Sequence, residues 1–244
     1  MRVSPPRATM RDMCGRYANF LAEQELIDHF AIATVADDAR LAPNWNVSPT
    51  QQVAIVVPPR PDKDDEGRRL EAARWGLVPS WAKDPSIGAR MINARSETLA
   101  EKPSFRTAFA KRRCAVPASG YFEWRTEGGV KTPHWIHATD DAPLAFAGLY
   151  EFWKDKAAGE DAEWLVTTTI VTTASSGAMQ DIHDRQPVMM CREALDLWLD
   201  RDADQGTLLD VIAMPAPDLT WHPVRKAVGS PKNNAPENID PVDA

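Results

Sequence analysis

The chain has 244 residues, 43% of them hydrophobic, 26% charged and 8% aromatic, which excludes disordered, collagenous and coiled-coil chains. With 28 Lys and Arg against 35 Asp and Glu the formal charge is −7, so any binding of nucleic acid has to run through a focused basic patch. The longest apolar run, Val53 to Val57, is far short of the roughly 18 residues that cross a bilayer, and no membrane association is expected.

The first thirteen residues carry three arginines and two adjacent prolines but no apolar stretch, so they do not read as a secretory signal, and a cytoplasmic location is expected. From there the apolar period predicts a helix over Ala22 to Ala31, with Leu26, Ile27 and Phe30 on one face. A strand over Val53 to Val57, a polar loop over Pro58 to Arg69 and a strand over Leu70 to Trp75 follow, then a helix over Glu97 to Ala110. Strands are expected over Cys114 to Pro117, His134 to His137 and Leu144 to Leu149, and, after a polar loop over Lys154 to Glu163, over Leu165 to Thr173. Helices over Arg192 to Leu199 and Thr207 to Ala213 and a strand over Leu219 to Pro223 complete the pattern. Strands and helices do not alternate as in a doubly wound sheet. The expected fold is one α+β domain with a largely antiparallel, barrel-like β core flanked by short helices.

Three cysteines, Cys14, Cys114 and Cys191, lack C-x-x-C spacing, so neither a disulfide framework nor a zinc site is indicated and no cofactor is expected. Cys14, in Met13-Cys14-Gly15-Arg16-Tyr17, is followed by a glycine and an arginine that favours the thiolate; taken alone, a lone cysteine here reads first as an incidental thiol. In Met91-Ile92-Asn93-Ala94-Arg95-Ser96-Glu97, Asn93 and Arg95 fall on one side of a strand-like end and suit an oxygen and a phosphate, or else Asn93 or Ser96 caps a helix. Glu123, in Gly120-Tyr121-Phe122-Glu123-Trp124, is either a desolvated proton carrier or the outward residue of an alternating strand. His183, in Asp181-Ile182-His183-Asp184-Arg185-Gln186-Pro187, is flanked by carboxylates and is the histidine best suited to titrate near neutral pH. The other four histidines show no metal-ligand spacing with it.

These segments stand in order with Asn46-Val47-Ser48-Pro49, the run from Trp75 to Trp81, and Trp221-His222-Pro223-Val224. From Met13 to about Ile239 the set closely resembles the SRAP family of SOS-response-associated peptidases, the abasic-site processing proteins, and it implies a domain over residues 13–240. The resemblance implies binding of single-stranded DNA, a covalent crosslink to abasic sites, and a role in the DNA damage response, by a monomer associated with the nucleoid when bound to DNA. It makes Cys14, Asn93, Glu123 and His183 catalytic, with Arg16, Arg95 and Arg185 on the DNA. Trp124 would pack against bases at the lesion and Trp81 would offer a second stacking surface.

In the family the cysteine is exposed as the first residue. Its amine condenses with the abasic aldehyde and its thiol closes a thiazolidine, a lyase-type chemistry that needs no metal. Here residues 1–12 form a leader ahead of Met13, and an internal cysteine has only an amide nitrogen. The expectation is therefore a start at Met13, or removal of the leader by the family's autopeptidase activity. Two other classes compete: a cysteine peptidase acting in trans through Cys14, His183 and Glu123, and a noncatalytic single-strand-binding module.

Overall fold

The computed structural model describes residues 15–60, 67–159 and 161–242; Cys14 and the leader over residues 1–12 lie outside the described residues. In chain order the elements are β1 (Tyr17–Asn19), α1 (Glu23–Phe30), β2 (Ile32–Val35), β3 (Asn44–Val47), β4 (Gln52–Val57), β5 (Arg68–Trp75) and β6 (Asn93–Arg95). Next come α2 (Arg106–Lys111), β7 (Arg113–Ala118), β8 (Gly120–Glu127), β9 (Val130–Ala138), β10 (Leu144–Lys154) and β11 (Trp164–Ala174). The chain finishes with β12 (Arg185–Pro187), α3 (Arg192–Leu199), α4 (Gln205–Ala213) and β13 (Leu219–Pro223).

Five strands close on themselves. Antiparallel pairing runs β5-β4-β7-β10-β11, and β11 returns to β5 as a parallel pair at Thr167↔Arg74 and Thr168↔Trp75. Closure removes the strand edges that an open sheet would leave unpaired. Alternate residues fill the interior: Val53, Ile55 and Val57 join Val116, Phe146 and Ile170 in one buried cluster. Their neighbours Ala54, Val56, Ala115 and Ala147 pack outward against Phe30 of α1 and Leu195 and Trp198 of α3. Burial on both faces is why these strands read as unbroken apolar runs.

A second sheet, in the order β13-β9-β8-β1-β3, covers the barrel. Tyr17, Tyr121 and Ile136 extend the interior cluster from one of its faces. Ala18, Phe122, Trp135 and Val224 form a third cluster on the other. Two features lock the layers. Gly120 admits the backbone of β9 so closely that a Cβ there would lie 2.5 Å from the Ile136 carbonyl oxygen and from the Trp135 ring. The buried Arg113 guanidinium donates to the carbonyls of Phe109 and Ala110 at the end of α2 and of Trp198 and Asp200 at the end of α3, satisfying carbonyls that a helix end leaves open.

The α+β class and barrel core agree with the sequence reading, and the expected strands and three of the four helices appear within a few residues at each end, β9 and β10 being the most extended. The helix expected over Glu97 to Ala110 is instead a 3-10 turn at Ser96–Thr98 followed by α2. Pro103 lies between them, where it lacks a donor and biases the residue before it away from helix. The polar stretch expected to run to Arg69 gives way to β5 at Arg68. Strands β1, β2, β3, β6 and β12 are three or four residues long, too short for a period to register.

Candidate functional site

Arg16 and Tyr17 of the C-G-R-Y segment are held as antiparallel neighbours of β8. Tyr17 pairs with Tyr121 and Ala18 with Gly120, and the Phe122 amide donates to the Arg16 carbonyl at 2.9 Å. The same count puts Gly15 across from Glu123. Glu123 is only 4% exposed and, two residues along from Tyr121, lies on the barrel-facing side of the sheet. The outward orientation that simple alternation allows is thereby excluded, because the sheet is covered on both faces. Its cross-strand partner is His134, whose Nδ1 is 3.0 Å from the Thr132 carbonyl and whose pKa is lowered by burial.

The N-A-R-x-E segment is β6, parallel to the end of β11 with Asn93 beside Ile170 and Arg95 beside Thr172. It is fixed from two sides: the Ile170 amide and the Trp75 indole both donate to the Ile92 carbonyl, at 3.1 and 2.8 Å, and the Leu77 amide donates to Met91. The W-G-L-V-P-x-W run therefore braces this segment directly. Asn93 is buried at 8% exposure and Arg95 is exposed, so the helix-cap alternative does not describe Asn93, which lies in a strand.

The D-I-H-D-R-x-P segment returns to β11 as β12, with Arg185 paired to Ala174. The Arg185 guanidinium reaches across to β6's end: Nη1 and Nη2 donate to the Glu97 carboxylate at 2.5 and 3.1 Å, and Nη2 also donates to the Thr172 carbonyl at 2.7 Å. The hydrogen bonds from Arg185 lower the Glu97 pKa from its ordinary carboxylate value, as a bidentate arginine does. His183 is half-buried. Its Nδ1 accepts from the Arg185 amide at 3.1 Å and also lies 3.1 Å from Asp184 Oδ1.

Each segment, or the residue beside it, contributes to one apolar floor. Tyr17, Tyr121 and Ile182 belong to the interior cluster, Ile92 packs against it, and Tyr17 meets Trp75 edge-on at 5.3 Å. Asn93, Glu123 and His183 each follow a member of that floor by one or two residues. Arg16 is held inward: Nη1 donates to Asn46 Oδ1 at 2.8 Å and to the Val228 carbonyl at 2.6 Å, and burial lowers its pKa. Asn46 in turn donates to the carbonyls of Val228, Ser230 and Asn233. Trp124 is half-buried against the third cluster, on the sheet face opposite Glu123. Trp81 is 56% exposed on a turn whose Ala82 carbonyl accepts from the Trp153 indole. Sequence reasoning did not single out Glu97 and Asn46 as the groups that orient Arg185 and Arg16; both stood inside motifs, which was the available signal. Among the described residues no three His, Cys, Asp or Glu side chains group as metal ligands.

Fold and site together define a barrel-cored α+β protein in which described residues in or beside the C-G-R-Y, N-A-R-x-E, G-Y-F-E-W and D-I-H-D-R-x-P segments border one apolar cluster. The family model described as SOS response associated peptidase (SRAP) matches residues 13–231, and the chain belongs to that family. It is 39% identical to the abasic site processing protein YoqW of Bacillus subtilis over 93% of this chain and 99% of that one. It is 31% identical to YedK of Escherichia coli, also named an abasic site processing protein, over 94% and 100%. A solved structure of a protein from Bacteroides thetaiotaomicron superposes with a TM-score of 0.78 at 26% identity, covering 94% of this chain and all of that one.

Proposed function

We propose that this protein binds single-stranded DNA at abasic sites and crosslinks to them through Cys14 once that residue is the N-terminus. The observation that carries the reading is the β1–β8 register, which aligns Gly15, bonded to Cys14, with the buried Glu123. The relatives named for abasic-site processing support the same substrate.

The chemistry follows from the groups. The open-chain abasic sugar presents an aldehyde at C1′, and an α-amine with a pKa of about 8 is partly neutral at cellular pH. The amine adds to C1′, water leaves, and an imine forms. The thiol sulfur then bonds to the imine carbon while its proton passes to nitrogen, closing a five-membered ring whose formation is effectively unimolecular. Glu123 carries protons at the amine, His183 protonates the ring oxygen as the sugar opens, and Asn93 orients the terminal residue. Arg16, Arg95 and Arg185 hold the phosphates, with Arg185 oriented by Glu97. Trp124 and Trp81 are the stacking surfaces. The protein acts as a monomer at the nucleoid.

Mixing protein that begins at Cys14 with an abasic single strand and an otherwise identical intact strand tests this. An adduct that survives denaturing electrophoresis is expected with the abasic strand alone. Equal labelling of both strands, or none of either, contradicts the reading. Cleavage of unrelated peptides by the same preparation, with indifference to DNA, would favour the trans-acting peptidase.

A further inference from the structure

Beside Glu123, on the same face of the second sheet, runs a groove of about 630 Å³. Cross-strand partners share a face. The register is Tyr121↔Ile136, Glu123↔His134 and Arg125↔Thr132 between β8 and β9, and Trp221↔Ile136 between β13 and β9. His134, Arg125 and Trp221 line the groove, so it starts at the residue across from Glu123 and continues along the sheet. Trp221 is half-buried and rests on the barrel's interior cluster. Arg225 and Lys226, from the segment after β13, complete the lining. Both are exposed, and among the described residues neither side chain has a hydrogen bond or ion pair.

The charge here is opposite to that of the whole chain. A protein of net charge −7 gathers three permanent cations around one groove, against a single lining carboxylate, Glu127, which is exposed and 3.7 Å from Arg125. Such a focused field, beside an indole, is the arrangement that tracks a single strand: cations for the backbone and a ring for a base. The volume falls in the range of small-ligand sites and admits a nucleotide.

We propose that this groove is a nucleotide subsite for the strand running away from the abasic sugar, with a base on Trp221 and phosphates on Arg125, Arg225 and Lys226. The inference rests on the reading above that the chain binds single-stranded DNA. Binding of undamaged single strands of about 4 and about 15 nucleotides to the full chain, followed by fluorescence anisotropy across a salt series, tests it. Arg225→Glu/Lys226→Glu should weaken the longer strand about tenfold at low salt, leave the shorter one unchanged, and make the salt slope shallower by about 1.4 for two lost phosphate contacts. Trp221→Leu should weaken the longer strand without changing that slope. Thermal melting of each variant at the wild-type temperature keeps the comparison on binding. Unchanged affinity for the longer strand, or an equal loss on both lengths, overturns the subsite. The two readings fail separately. Loss on the longer strand from a protein that never crosslinks removes the crosslinking chemistry and keeps the groove; crosslinking with unchanged strand affinity does the reverse.

Discussion

At the scale of single residues, burial separates groups that look alike in the sequence. Cys114 is enclosed in the barrel, which pushes its thiol up to about 12, whereas Cys191 is exposed. A maleimide at pH 7 should therefore label Cys191 and spare Cys114 in the folded protein, as peptide mass mapping reads directly; labelling of Cys114 before unfolding would contradict its burial. On the proposed reading Glu123 and His183 serve different steps. If His183 protonates the sugar ring oxygen, His183→Ala should slow crosslinking to a cyclic abasic sugar far more than to a substrate carrying an already open aldehyde. Glu123→Ala should slow both, by about 10²–10⁴-fold as for a lost proton carrier. Equal slowing by His183→Ala on the two substrates, with a lowered melting temperature, would reduce His183 to a brace for its loop. The candidate residues were legible in the sequence because they stood in ordered motifs. Their burial was not, since alternation along β8 says nothing about a second layer covering its other face.

Elements carry the site through a few contacts distant in sequence. Asn46 joins β3 to the C-terminal segment by three carbonyls and to β1 through Arg16. Asn46→Ala removes these links, although the Val228 carbonyl keeps Arg16 and the Asn233 carbonyl keeps Asn238 as donors, and should cost about 1–2 kcal/mol of unfolding free energy in a urea titration. Gly120→Ala should be similarly costly, because its Cβ would press on the Ile136 carbonyl and separate β8 from β9, while an alanine at the open Gly128 meets no atom within 4 Å and pays only the strain of its φ of 57°. Long strands buried on both faces were readable as apolar runs. The short strands β6 and β12 were not, because the pairing that defines them belongs to β11 some 75 residues after one and just before the other. The N-A-R and D-R-x-P motifs mark those two strands by chemistry where hydropathy does not.

For the whole molecule, the acid response separates into windows. His134 is held neutral by burial, so its folded pKa lies below the ordinary 6.5. The unfolded chain takes up that proton first, and stability should fall as pH drops below 6.5. Glu97, held down by Arg185, contributes stability above its ordinary 4.5 that is lost only as pH falls through its lower folded value. Unfolding midpoints of wild type and His134→Asn at pH 7 and about 5 check the first window: the wild type should lose more than the variant. On the proposed reading an acidic chain takes up DNA through focused cationic sites, and the crosslink tests the central one. The most direct measurement compares adduct formation with abasic single-stranded DNA by protein beginning at Cys14 and by its Cys14→Ser form, each with and without borohydride. The account predicts a stable adduct for cysteine without reductant and an adduct for serine only when borohydride traps the imine. Equal, reductant-independent adducts from both, or none from the cysteine form, would contradict a thiazolidine at Cys14.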